Sequence, residues 1–188
     1  MSKQFQIYLD MDGVISNWCE ATLNALGGNT PEIHQRIVNS WSTIDDIWGE
    51  DKVVFTLEQL GAKFWADLEI FPWTHELFSE LNKVAPTCFF TNQGRWPGNA
   101  IVGKLEWLKK HGFDHRNVLF GEYKWLAASP RHFLVDDKPT NVEKFKINGG
   151  RAYLWPCQFT LFKEGYHGAI EEAVASACLA RDAYLQLP

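Results

Sequence analysis

Apolar and polar residues alternate over residues 4–10 (QFQIYLD), with Phe5, Ile7 and Leu9 on one side, which predicts a strand ending at Asp10. Gly13 follows as a turn residue. Over residues 17–27 the spacing becomes helical and runs into Gly27-Gly28, a plausible helix stop. Pro31 can open a second helix to about Ser40. Residues 41–73 are broken by Gly49, Gly61 and Pro72 and predict short helices and loops.

From there the pattern is regular. Residues 74–84 read as a helix with Leu77, Phe78 and Leu81 on one side. TCFFT (87–91) is a short apolar strand, and a helix reaches about His111 with Ile101, Val102, Leu105 and Leu108 as its face. NVLF (117–120) and HFLV (132–135) are strands, a helix covers about 140–147, and RAYLW (151–155) is another strand. The last helix runs from about 168 to 185, with Ile170, Ala173, Val174, Ala177 and Tyr184 inward. Short apolar strands alternating with helices predict an α/β fold with a parallel sheet covered on both faces. In such sheets the ligand site lies beyond the carboxyl ends of the strands. Three strand ends carry reactive side chains: Asp10, Thr91 and the pair Asp136-Asp137.

Bulk properties narrow the function. The 188 residues suit one domain, or one core with an inserted piece, and 46% hydrophobic residues suffice for a core. A net charge of −5 argues against broad binding to a nucleic-acid backbone but leaves room for a small anion held by local cations. We read no signal peptide and no membrane span. The cysteines, Cys19, Cys88, Cys157 and Cys178, form no CxxC pair, which fits a reduced, cytoplasmic protein. Nothing here separates a monomer from a homodimer. Nine tryptophans are many for this length, and each can fill a core or present a flat wall.

The strand-end residues match the needs of phosphoryl transfer. Asp10 can attack phosphorus, and Asp12 can serve as general acid and then base. Thr91 and the backbone after it can donate to phosphoryl oxygens, and a lysine can neutralise the transferring group. Asp136 and Asp137 supply hard oxygens, so the implied cofactor is Mg²⁺ rather than zinc. Carboxylates about 4 Å apart near a surface repel by roughly 4 kcal/mol per pair. A cation and a lysine would relieve that repulsion.

Taken together, DMDGV at 10–14, the strand ending in Thr91, a lysine and FLVDD at 133–137 resemble the haloacid dehalogenase (HAD) superfamily of phosphotransferases. The resemblance implies a Rossmann-like three-layer core with a small helical cap inserted after the first strand. The core would be 1–14 and 76–188, and the cap 15–75. It implies Asp10 as nucleophile and metal ligand, and Asp12 as acid/base with its backbone carbonyl on the metal. It further implies Asp137 as direct ligand, with Asp136 beside it orienting its neighbours. Two lysines compete for the third motif. Lys124, on the loop after NVLF, fits the usual position better than Lys104, which reads as a solvated helix residue or a substrate contact. Lys138 reads as a surface charge.

Within that superfamily the chain is similar to the 5′(3′)-deoxyribonucleotidases, on DMDGV, the cap length and KLEWLKKHGF (104–113). This implies a nucleoside monophosphate substrate. Trp18 falls where those enzymes place an aromatic against the nucleoside, with Trp41, Trp48 and Trp65 as further candidates. The second motif departs from the usual Thr-Ser-Pro. Here it is Thr91-Asn92-Gln93, with Asn92 as a phosphate donor. Two other readings compete. One is a phosphatase for nucleic-acid 3′-phosphate ends or another small phosphoester. The other is a phosphoacceptor receiver domain, but there the acidic pair comes early and the acceptor late, the reverse of the order here.

Overall fold

The structure, a computed structural model, describes residues 4–40, 44–94 and 97–187. It divides into two compact units, one of Met1–Ile15, Phe71–Asn92 and Asn117–Pro188, the other of Ser16–Ile70 and Gln93–Arg116. Trp41 lies outside the described residues.

The first unit is built on a five-stranded, all-parallel sheet of β1 (Gln6–Leu9), β2 (Thr87–Thr91), β3 (Val118–Phe120), β4 (His132–Asp136) and β5 (Arg151–Leu154), in the order β3-β2-β1-β4-β5. The apolar runs predicted as strands form these strands. β1 is central, and the chain works outward to β3 before crossing to β4 on its other side. Such a reversal opens a crevice at the carboxyl ends of the two strands where it occurs, here β1 and β4. Leu9 pairs with Val135, so Asp10 and Asp136 come next in register on adjacent strands.

The two faces of the sheet have different covers. Ile7, Leu9, Phe89, Phe133 and Val135 are buried, and this side meets α5 (Thr74–Val84) and α9 (His167–Leu185), with Phe78 stacked on Phe89 at 5.2 Å and Tyr184 near Phe5 at 6.0 Å. On the other side Tyr8, Cys88, Phe90 and Leu134 form a cluster with Phe145 of α7 (Pro139–Ile147) and with Ala127 and Ala128. A short α8 (Gln158–Glu164), absent from the sequence reading, separates β5 from α9.

The second unit is helical: α1 (Trp18–Ala25), α2 (Pro31–Ser40), α3 (Ile44–Trp48), α4 (Glu50–Ala66) and α6 (Pro97–Lys110). Gly61 does not end α4. It takes φ 63°, ψ −162°, which kinks the helix, and the turns resume beyond it. α6 packs closely on α4 because Gly103 has no side chain: a Cβ there would sit 2.3 Å from Ala62 O and 2.4 Å from Trp65 Cβ. The Trp107 indole N–H donates to Leu68 O at 2.7 Å. The buried stripe of α6 is Ala100, Gly103, Lys104, Trp107 and Leu108, whereas Val102, expected inward, is exposed. All four cysteines are free thiols, and no helix among the described residues is long and apolar enough to cross a membrane.

Candidate active site

At the end of β1 the chain must turn sharply, and the residues after Asp10 show how. Val14 and Ile15 N–H groups donate back to Met11 O, closing a tight turn. The far side of that turn is pinned by the Trp73 indole N–H on Val14 O (2.7 Å) and the Thr74 hydroxyl on Ile15 O (2.9 Å). Gly13 sits in the turn at φ 79°, a left-handed conformation that disfavours any side chain. A second constraint also demands glycine: a Cβ on Gly13 would lie 2.0 Å from Asp137 Oδ2. The turn after β1 and the residue after β4 therefore touch only because position 13 is bare.

Lys124 is the hub of the site. It lies on a 3₁₀ turn, Lys124–Ala127, and is only 1% exposed. Its Nζ is 2.7 Å from Asp10 Oδ1 and 2.7 Å from Asp136 Oδ2. A buried ammonium costs several kcal/mol unless it is paired. Burial pushes the Lys124 pKa down, but the two carboxylates outweigh this and raise it above the usual lysine range. Lys124 thus stays charged.

Asp136 is saturated. Besides Lys124, its carboxylate accepts from the Lys138 backbone N–H (2.9 Å) and from Asn141 Nδ2 (3.1 and 3.2 Å). Asp10 receives Lys124 and the Met11 N–H (2.8 Å), both on Oδ1. Asp137 is half-buried, with its Oδ2 set against Gly13. Burial, then repulsion from neighbouring carboxylates, raises the Asp137 pKa well above the ordinary aspartate value. Burial likewise pushes Asp10 up to about 7, against the opposing pull of Lys124.

One lysine against these carboxylates leaves surplus negative charge, which points to a cation. Carboxylate oxygens of Asp10, Asp136 and Asp137 lie within 4.8 Å of one another. Opposite oxygens on an octahedral hard ion are separated by roughly 4.2 Å, twice the Mg–O distance. The donor set is all oxygen and suits Mg²⁺. Of the two adjacent carboxylates, Asp136 already accepts from Lys124, Asn141 and the Lys138 N–H, whereas Asp137 Oδ2 faces Gly13.

The other candidates can be placed unit by unit. Thr91 is buried at the end of β2, Asn92 follows it half-buried, and Asp12 is half-buried in the turn. In the helical unit Trp18 is half-buried at the start of α1, and its indole nitrogen is buried. Trp48 is pressed against Gly28, where a Cβ would meet its ring at 2.0 Å. Trp65 is buried, and Lys104 Nζ lies 5.0 Å from its ring centre. Lys104 is 1% exposed, so it is not the solvated helix residue that the periodicity suggests. The indole face supplies a cation–π contact for its ammonium.

Sequence reasoning missed Asn141. Its only signal was its place in the first turn of α7, five residues after Asp136.

No curated protein matches the chain. Among solved structures, a haloacid dehalogenase-like hydrolase from Xanthomonas campestris is 10% identical with TM-score 0.57, covering 96% of this chain and 95% of its own. A phosphonoacetaldehyde hydrolase-like protein from Oleispira antarctica is 14% identical with TM-score 0.54, over 94% and 86% of the two chains. The HAD-hydrolase YfnB from Bacillus subtilis, described as bound to magnesium, is 14% identical with TM-score 0.51, over 80% and 86%. At these identities the likeness speaks for the fold, which is that of the HAD hydrolases. The family of 5′ nucleotidase, deoxy (pyrimidine), cytosolic type C proteins matches residues 4–165, from β1 through α8, and so includes every strand of the sheet and the whole Lys124 cluster. The chain belongs to that family and is a phosphatase.

Proposed function

We propose that the protein is a Mg²⁺-dependent nucleotidase, which removes phosphate from nucleoside monophosphates, deoxyribonucleotides in particular, through an aspartyl-phosphate on Asp10. The observation that carries this reading is the Lys124 clamp. One buried ammonium holds the carboxylate after β1 and the carboxylate ending β4 at 2.7 Å each. Family membership supports the nucleotide substrate.

The residues divide the work as follows. Two donors converge on Asp10 Oδ1, which stops the carboxylate rotating and leaves Oδ2 to attack phosphorus. The new Asp10 O–P bond forms as the bond from phosphorus to the nucleoside oxygen breaks. Asp12 gives its proton to that leaving oxygen. It then takes a proton from water, which attacks phosphorus, breaks the Asp10 O–P bond and releases inorganic phosphate. The Thr91 hydroxyl and Asn92 amide serve as donors to phosphoryl oxygens, and Lys124 offsets their charge. Asp10, Asp137 and the Asp12 carbonyl would hold Mg²⁺, with Asp136 beside them. When bound, the ion lowers the repulsion between carboxylates and phosphate. We assign Trp18 to the nucleoside, with Trp48, Trp65 and Lys104 in supporting roles within the helical unit. The free thiols and the family's cytosolic type favour a cytoplasmic setting.

A phosphate-release assay with Mg²⁺ decides the substrate. The panel compares 5′- and 3′-deoxyribonucleotides and ribonucleotides with 3′-phosphorylated oligonucleotides and sugar phosphates. The expected result is the highest kcat/KM on a deoxyribonucleoside monophosphate and no turnover in EDTA. Preference for the oligonucleotide would overturn the reading.

A further inference from the structure

The 3₁₀ turn that carries Lys124 has a defect at its far end. A 3₁₀ carbonyl is normally met by the N–H three residues on. Leu126 N–H meets Tyr123 O, and Ala128 N–H meets Trp125 O. For Ala127 O the partner would be residue 130, which is proline and has no N–H. An unmet carbonyl in a half-buried turn is costly.

His132 fills that role. It begins β4, is 8% exposed, and its Nδ1 lies 2.6 Å from Ala127 O. A carbonyl oxygen can only accept, so Nδ1 carries the proton. Burial holds the His132 pKa below the usual histidine value, so the ring is neutral and Nε2 is bare. The Tyr8 hydroxyl lies 3.3 Å from Nε2 and donates to it. Ser129 Oγ lies 3.1 Å from Nδ1, and the His132 backbone N–H closes the loop onto Ser129 O at 3.0 Å.

The contacts continue to the site. The Tyr8 ring meets Phe90 edge-on at 5.3 Å, and Lys124 Nζ is 5.9 Å from the Phe90 ring centre. On the turn's other side Lys144 Nζ lies 4.2 Å over the Trp125 ring. The turn is one revolution long, with Lys124 at its start and Ala127 at its end. Lys124 must meet two carboxylates at once.

We propose that His132 is a positioning residue for Lys124: by donating from Nδ1 to the Ala127 carbonyl it fixes the turn that aims the lysine between Asp10 and Asp136. It touches neither substrate nor metal ligand. The inference rests on the phosphatase reading only for its kinetic consequence.

Two substitutions separate positioning from plain stability. His132→Asn keeps an N–H donor at the Nδ1 position and loses the acceptor for Tyr8. His132→Gln keeps a polar group at the Nε2 position and loses the donor to Ala127. Kinetics on p-nitrophenyl phosphate with Mg²⁺, thermal midpoints and the Lys124 side-chain NH₃⁺ resonance in ¹⁵N-labelled protein are measured for both. A misplacement of about 1 Å is worth roughly 100-fold in rate. The expected result is kcat down about 10- to 100-fold in Gln with KM within about 3-fold, and kcat within about 3-fold of wild type in Asn. The Lys124 resonance shifts or broadens in Gln alone. Wild-type kcat in Gln, or equal losses in the two variants, would overturn the proposal. A wild-type protein without turnover on this substrate removes the kinetic readout alone, and the resonance then decides: if it is unmoved in Gln, the positioning role of His132 is refuted.

Discussion

Replacing Asp10 by asparagine separates what the cluster does for chemistry from what it does to the fold. The residue is buried among carboxylates, and burial is the main reason its pKa rises from 3.8 to about 7. A carboxyl that binds its proton more tightly folded than unfolded opposes folding once it must ionise. Without metal the fold therefore loses stability as pH rises from about 4 to about 7, and the loss is complete above that window. Asparagine keeps an acceptor for Lys124 and the Met11 N–H and removes the charge. The rise is about 3 units, and one unit is worth 1.36 kcal/mol, so the substitution stabilises the metal-free protein by about 2–4 kcal/mol at pH 8. For a chain of this size that is a gain on the order of 10 °C in Tm.

The assay is thermal or urea unfolding of both proteins in EDTA, from pH 4 to 8, with phosphatase activity measured alongside. The gap should be near zero at pH 4 and widen to its full size at pH 7–8, while activity is abolished. Saturating Mg²⁺ should then narrow the gap, because an ion at 100 times its Kd stabilises the wild type by about 2.7 kcal/mol and the variant has lost a ligand. A variant no more stable than wild type at pH 8 in EDTA would refute the charge-crowding argument. Residual turnover near the wild-type rate would refute Asp10 as nucleophile.

Three other substitutions probe the same cluster from different sides. Lys124→Met should act in the opposite direction to Asp10→Asn: removing the shared cation strands two buried carboxylates, costing about 3–5 kcal/mol in urea unfolding, and a neutral effect would contradict the clamp. Gly13→Ala must both hold φ 79° and displace the Asp137 carboxylate that its Cβ would meet at 2.0 Å. Mg²⁺ affinity by titration calorimetry should fall at least about 10-fold, and unchanged affinity would remove Asp137 from the metal site. Asn141→Ala deletes the amide donor from Asp136 and should cost about 1–3 kcal/mol with a lower kcat, whereas wild-type kinetics would make Asn141 a merely local contact.

Parts of this site are visible in the sequence for a physical reason. Asp10, Thr91 and Asp136 stand at the ends of short apolar runs, and a run buried on both faces is a strong strand signal. Once the strands are parallel, their carboxyl ends lie at one edge, so residues far apart in sequence converge without any further information. Lys104 shows where that logic stops. Periodicity alone cannot rank a lysine beside a glycine and a tryptophan on a helix, and it placed Val102 inward. The deciding contact is the close approach of α4 and α6 at Gly103, which brings the Trp65 ring to Lys104. Gly61 is the converse case. A glycine there predicts a break, yet helical structure resumes beyond its positive φ and the helix continues kinked.

What the sequence hides is how few bonds the chemistry leaves available. Asp136 and Asp137 are adjacent and chemically identical, so their chemistry alone does not tell them apart, and only the family resemblance ranks them. The structure separates them by their surroundings: Lys124, Asn141 and the Lys138 N–H converge on Asp136, while Asp137 Oδ2 faces Gly13. One carboxylate is thereby committed to holding the lysine, and the other is the one we propose for the cation. The same division explains why the lysine must be buried. A solvated Lys124 would be screened and free to swing, and Asp10, crowded by its neighbours, would meet an approaching phosphate protonated more often. Asp10 therefore depends, through Lys124 and Asp136, on contacts as distant in sequence as Asn141, and the nucleophilic role we propose for it depends on the whole cluster.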